Sequence, residues 1–517
     1  MMFSKTAAVA LAGAVAGVTL AAQAPFDSAH PSTPLGVTLR ASSLDFARDD
    51  PEQVEGSKGQ GKPDRSKPPA IGPAPSLTMP AIHKHKLSNG LAVWLVEHHE
   101  VPLAQVNLIV RSGSAADPIG KYGIGSLTAA MLDEGAGSRT ALELADGLEF
   151  LGANLATTST FDAAAIRLSV PVSKLAEALP LMSDVALRPM FPANELDRLR
   201  KERLTALLQA RDNPAALIGI AFPRMVFGPT HRYGTSANGL PAAIESFTAA
   251  DLQAFYRAHY RPDNSTLLIV GDVTAVTTMP LLEKAFGSWK VEGIAPLVAE
   301  VPMAAQLKSR QVYIIDKPDA PQSQVRIGWV GVPRLTADYA ALEVLNTILG
   351  GSFTSRLNQN LREEHGYSYG ASSAFDMRLS AGPFLAAAGV QSDKTAPAVQ
   401  EFFNELNNIV KPIPDDELKK ARNYVALGFP GEFETTGDLA RKLEDLVVYN
   451  LPEDAYAKFV SAVTSVTSAD LQKLAARYIQ PDKMAVVVVG DRKSIEGPIR
   501  QLNLGPVSLI TIDELFR

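Results

Sequence analysis

Apolar and polar positions begin to alternate near Met79. In the run LSNGLAVWL, Leu91, Val93 and Leu95 fall on one side, and Gln105 to Arg111 resume the pattern after a turn around Pro102, so two strands are predicted. The spacing then lengthens. Within KYGIGSLTAAMLDEGAGSRT, Lys121 to Thr140, the residues Ile124, Leu127 and Met131 recur every three or four positions, which predicts a helix with one core-facing side. Its other side carries Ser126, Ala129, Ala130 and Asp133, all small or polar.

A longer period is written over these local ones. SFTAADLQAFYRAHYRPDNSTLLIVGD, Ser246 to Asp272, aligns without a gap to SVTSADLQKLAARYIQPDKMAVVVVGD, Ser465 to Asp491, at a constant offset of 219. Each copy reads as an amphipathic helix opened by a threonine cap (Thr248, Thr467), a Pro-Asp break, and a continuous apolar strand ended by Gly-Asp. The repeat predicts duplication of a unit of about 220 residues. Two homologous α+β halves follow, at 79–290 and 308–517, joined by a weakly patterned, Pro-containing linker at 291–307.

Composition narrows the class. A chain of 517 residues is too long for one ordinary core, and 46% hydrophobic with 20% charged residues is the balance of a soluble globular protein. A net charge of -6, without a long Lys/Arg block, argues against a nucleic-acid binder. The chain has no cysteine, which excludes disulfides, Cys-zinc sites and thiol nucleophiles. Residues 1–24 read as a secretory signal peptide: Lys5, an apolar run from about Ala7 to Ala22, and an Ala22-Gln23-Ala24 end. A membrane anchor is the alternative, disfavoured by the short run rich in Ala and Gly. Export into the periplasm of a Gram-negative bacterium is therefore expected, with no membrane association after cleavage. From 25 to 78 the chain is rich in Pro, Gly and Ser and reads as a flexible leader.

Four stretches carry a resemblance. VYIIDKPDAPQSQVRIGWVGVPRLTADYAALEVLNTILGGSFTSRLNQNLREEHGYSYG opens the second half, ALGFPGEFETTGDLA spans Ala426 to Ala440, and the first half carries LSNGLAVWL followed by the Lys121 to Thr140 segment. Together they resemble the M16 family of zinc metallopeptidases, the pitrilysin and processing-peptidase relatives, over nearly everything from residue 79 to the end. The resemblance implies two homologous LuxS/MPP-like metallohydrolase domains. Each would be a mainly antiparallel sheet with helices packed on it, and the two would form a half-clamshell that pairs with another to enclose a peptide.

Active members of that family carry HxxEH on a helix, because histidines at i and i+4 share a face for zinc while the glutamate polarises the attacking water. Anchored on Gly123, Met131, Leu132 and Gly135, the pattern lays its histidines on Ser126 and Ala130 and its glutamate on Ala129. The downstream ligand, counted with Arg198 and Arg200 as guides, falls on Ala206. All four groups are lost, so no zinc is expected in this chain. Asp133 alone is a poor substitute, and adjacent strand residues such as His98 and His99 point to opposite faces; His83 and His85 read as surface.

The second-half signature is intact. The family spacing carries a substrate-carbonyl-binding pair onto Arg362 and Tyr369, with Tyr367 the runner-up. On residue type alone, an arginine in a last helical turn and a strand tyrosine are ordinary structural choices; the family spacing, with Gly350, Gly351 and Arg356 in place, gives them the role. The resemblance thus implies the non-zinc subunit of a heterodimeric peptidase, inactive alone, whose HxxEH-bearing partner holds the zinc. The alternative is a peptide-binding or structural scaffold without turnover; a weaker one is a homodimer with unconventional metal use.

Overall fold

The computed structural model describes residue 72, 77–291, 293 and 301–517. The expected signal peptide, most of the leader and part of the linker lie outside the described residues. Two six-stranded sheets organise the rest. The first contains β1 (His83–Lys86), β2 (Ala92–Glu97) and β3 (Leu103–Val110); after a small separate hairpin of β4 (Gly135–Ala136) and β5 (Arg139–Thr140) come β6 (Asn154–Ser159), β7 (Ala164–Pro171) and β8 (Ser265–Gly271). Its order is β1-β2-β8-β3-β7-β6. The second contains β9 (Gln311–Asp316), β10 (Gln322–Val330), β11 (Ser368–Phe375), β12 (Pro383–Gln391), β13 (Ala485–Gly490) and β14 (Val507–Ile510), in the order β11-β12-β10-β13-β9-β14.

Read from opposite ends, these orders are the same except at one edge. Ala92 pairs with Thr266 in parallel β2 and β8, and Gln311 with Ala485 in parallel β9 and β13, so strand and register both recur at the offset of 219. Only the outermost position differs: antiparallel β1 fills it in the first sheet, parallel β14 in the second. Both halves also keep a capping box, Thr248 with Asp251 and Thr467 with Asp470, at the start of helices Ala249–His259 and Ser468–Tyr478. Every residue of β8 and β13 is buried, which accounts for their unbroken apolar runs. The α+β class and the two related sheets are as the sequence predicts.

The halves are interlocked, however, by exchanged helices. Helix Pro214–Phe227 leaves the first half and packs on β10 and β13 of the second sheet, where Ile218 and Phe222 share a core with Ile315, Val330, Val487 and Val489. Helix Thr436–Val448 makes the reciprocal move onto β3 and β8, joining Leu443, Leu446 and Val447 to Ile109, Leu268 and Val270. A polar contact pins the second exchange: Glu444 accepts from Arg167 Nε at 2.7 Å, Arg167 Nη2 at 2.6 Å and Asn107 Nδ2 at 2.6 Å. The end of the expected linker is also docked. Gln306 donates to Val330 O at 2.5 Å and accepts from Val330 N at 3.3 Å, completing the end of β10.

One element is shorter than expected. Of Lys121 to Thr140, only Ile124–Ala130 is helical. Gly135 and Gly137 have φ of 134° and 64°, left-handed values that break a helix and bend the chain into the β4–β5 hairpin.

Candidate functional site

The family pattern points to two places, one in each half. In the first, Gly123 opens the short helix with φ 103°, and its backbone lies so close to Gly239 that a Cβ would stand 2.6 Å from that residue's Cα. Asp117 then caps the helix, accepting from Gly123 N at 2.6 Å and Gly125 N at 2.9 Å. Arg232 donates to the same carboxylate at 2.7 Å and stacks over Tyr122, so helix and following loops are locked together.

The face expected to carry chemistry is closed. Ser126 and Ala129 are buried, and Arg203, from helix Ala193–Ala210, donates to Ser126 Oγ at 2.9 Å and to Asn238 O at 3.3 Å. Arg203 stands one helical turn before Ala206, the position that the last ligand would hold. Burial lowers the Arg203 pKa to about 10, which leaves the guanidinium charged at neutral pH. One hydroxyl, three methyl groups and an arginine form a donor set that does not fit a zinc ion. Among the described residues no group of three His, Cys, Asp or Glu is arranged to hold a metal.

The other first-half candidates serve structure. Asp133 lies beyond the helix end rather than on its face; Thr157 donates to it at 3.3 Å, and burial raises its pKa to about 6. Arg198 forms ion pairs with Glu134, Glu195 and Glu202, while Arg200 donates to Phe247 O at 2.6 Å. His99 pairs with Asp272 at 2.7 Å and Glu97 at 3.2 Å, contacts that raise its pKa.

The second-half site is open and built on two backbone irregularities. After Arg356–Asn358 the helix widens into a π-helical turn at Gln359–Glu364, and Gly366, at φ 63°, ends it. Arg362 sits in that turn. Its guanidinium lies 4.4 Å from the Phe353 ring centroid and is only 3.4 Å from Glu363, a loose neighbour. In β11 the register against β12 shifts between Ser368 and Ala371, a bulge that contains Tyr369 and Gly370. Ser368 bridges this bulge, its hydroxyl donating to Gly370 O at 2.6 Å and accepting from Gly370 N at 3.0 Å.

Asn358 ties the two irregularities together. It accepts from Ala371 N at 3.1 Å and donates to Phe353 O at 2.6 Å, so one buried amide fixes the bulge relative to the aromatic under Arg362. Tyr369 is 89% exposed, and no hydrogen bond or ring contact holds it among the described residues. Tyr367 does not share its setting. It precedes the strand, stacks on His365 at 4.9 Å and packs against the second-half core, whereas Tyr369 lies within the bulge.

Sequence reasoning singled out Ser126, Ala206, Arg362 and Tyr369 but missed Arg203, Asp117, Phe353 and Asn358. The available signal for Arg203 was its place one turn before Ala206; Asn358 had none, since its role depends on contacts 5 and 13 residues away.

Comparison with known proteins places this frame. Residues 246–425 match the family model described as the peptidase M16 inactive domain, and residues 92–220 match that of the insulinase family, peptidase family M16. The chain belongs to the M16 peptidase family. Among M16-type structures it is similar to a peptidase M16 inactive domain from Pseudomonas fluorescens, with TM-score 0.74 and 26% identity, covering 79% of this chain and 98% of that one. A protease from Helicobacter pylori shares the fold, with TM-score 0.74 and 22% identity over 80% of this chain and 100% of that one. Sequence relatives include uncharacterized zinc proteases of Rickettsia bellii, 22% identical over 78% of this chain and 96% of the relative, and of Mycobacterium bovis, 25% identical over 73% and 84%. On the M16 frame, then, the first-half site is sealed by an arginine and the second-half site is exposed.

Proposed function

We propose that this chain is the non-zinc subunit of a heterodimeric M16 metalloendopeptidase. In this reading it is exported to the periplasm and closes a peptide-hydrolysing chamber with an HxxEH-bearing partner. The observation that carries the proposal is Tyr369: a large aromatic on a β-bulge, almost fully exposed, its hydroxyl unengaged, in the strand that follows the π-turn whose Arg362 lies over the Phe353 ring and pairs only loosely with Glu363. A bulge re-aims a side chain at the cost of pairing, and an exposed tyrosine there gains nothing from burial.

Mechanistically, the partner's zinc would activate the attacking water. Arg362 and Tyr369 would donate hydrogen bonds to the scissile carbonyl oxygen as negative charge develops on it, with their positions fixed beforehand by Asn358 and the π-turn. Arg203, buried against Ser126, keeps the first-half cleft closed in this subunit, so the chain alone should bind no zinc and cleave no peptide.

The test is reconstitution with the partner M16 subunit. The pair should cleave peptides and the isolated chain should not. In the pair, Arg362→Ala or Tyr369→Phe should lower kcat by about 10²-fold or more with little change in assembly by size-exclusion chromatography. Full activity in both variants would instead favour a scaffold that holds peptide or organises a complex without contributing to turnover.

A further inference from the structure

The first half contains a cavity of about 740 Å³ away from both M16 sites, bounded by helices Leu175–Leu187, Ala249–His259 and Ala275–Phe286. Its charge is unlike that of the molecule. Arg139, Arg188, Arg257, Arg261, Lys284 and Lys290 line it, whereas Asp184 is the one carboxylate in the wall, in a chain whose net charge is -6. Asp184 is already shared, since Arg139 donates to it at 2.8 Å and Arg188 pairs with it too. Arg261 pairs with Asp263 at 2.9 Å. Arg257, Lys284 and Lys290 have no ion pair among the described residues.

The floor adds a second, independent observation. Leu179, Leu187, Leu281 and the buried Trp289 make it apolar, and Tyr260 is only 3% exposed. The Tyr260 hydroxyl has no hydrogen-bond partner among the described residues, although its ring is stacked on Tyr256 at 5.1 Å. A buried hydroxyl without a partner is costly, and one in the wall of a cationic cavity has a natural acceptor in an anionic oxygen.

We propose that this cavity is a binding site for a small, multiply charged phosphate compound. Its volume lies within the range of small-molecule sites, and an apolar floor beneath convergent cations suits a ligand of that size. Guanidinium groups favour phosphate because their donors match its oxygens in pairs. Arg257 and Lys284 would meet the charge at the rim, Arg139 and Arg188 would be held in place by Asp184, and Tyr260 would donate from the floor.

Isothermal titration of the full chain at about 0.15 M salt tests this, with tripolyphosphate, pyrophosphate, orthophosphate and citrate as the probes. Tripolyphosphate should bind one per chain, and pyrophosphate more weakly. The Arg257→Glu/Lys284→Glu variant should lose at least tenfold in affinity. Tyr260→Phe, which keeps the ring and removes the unpaired hydroxyl, should lose about fivefold in affinity while its melting temperature in the absence of ligand rises. A control pair on a remote exposed helix face, Lys419→Glu/Lys420→Glu, should bind as the wild type does. No saturable binding, equal loss in the control pair, or citrate binding as tightly as tripolyphosphate would each overturn the assignment.

Discussion

Arg203 places a single fixed charge where an M16 ligand set would gather a doubly charged ion, and it does so from a neighbouring helix 77 residues away from its acceptor Ser126. Restoring the four ligands by Ser126→His, Ala129→Glu, Ala130→His and Ala206→Glu should therefore not restore zinc while Arg203 remains, because two like charges cannot share one buried site. Adding Arg203→Ala should raise the metal content measured by elemental analysis toward one zinc per chain, with circular dichroism reporting that each variant folds. The neighbouring Asp133 gives a pH signature. Its pKa in the fold, about 6, lies above that of the unfolded carboxyl, so the stability of the protonated form is complete below about pH 4 and is lost as pH rises through 6. Asp133→Asn should thus exceed the wild type by about 1–3 kcal/mol at pH 8 in chemical denaturation, with the gap closing toward pH 5. The vacated positions were legible because the family resemblance lays them out by spacing, Ser126, Ala129 and Ala130 along one segment and Ala206 by a count guided by Arg198 and Arg200. The roles of Arg203 and Asp117 were not, because the partners that define them, Ser126 and Arg232, are 77 and 115 residues away and leave no periodic trace.

Among the elements, strand positions were easier to read than their irregularities. Alternation located β2 and β3, and unbroken apolar runs located β8 and β13, since in both cases burial alone sets the pattern. The helix drawn through Lys121 to Thr140 overran, because the three- and four-residue spacing of Ile124, Leu127 and Met131 says nothing about the left-handed glycines beyond. Likewise the π-turn and the β11 bulge depend on Asn358, a polar residue that no hydrophobic pattern marks. Replacing it in Asn358→Ala strands the Ala371 N–H and the Phe353 carbonyl, which should cost about 2 kcal/mol in urea unfolding. In the reconstituted pair the same variant should lower kcat more than it raises KM, as expected for a residue that positions the carbonyl-binding pair rather than touching substrate.

At the scale of the whole molecule, the duplication was visible in the sequence while the exchange of helices was not. An amphipathic helix presents the same stripe whichever sheet it covers, so Pro214–Phe227 and Thr436–Val448 could not be assigned to the opposite half without the fold. The exchange makes the two halves one cooperative unit. Glu444→Ala, which leaves Arg167 and the buried Asn107 without their shared acceptor, should destabilise by about 3 kcal/mol and do so in a single transition followed by both fluorescence and circular dichroism. The same crossing governs the order in which the protein can be made. As the chain leaves the ribosome, Phe222 and its neighbours are finished long before Ala485–Gly490, the strand they must cover, has been synthesised. The first half therefore waits with an apolar helix only partly covered, by β10, until almost the last residues arrive, and under the export proposed above that wait would extend the interval during which the chain remains unfolded enough to be carried across a membrane.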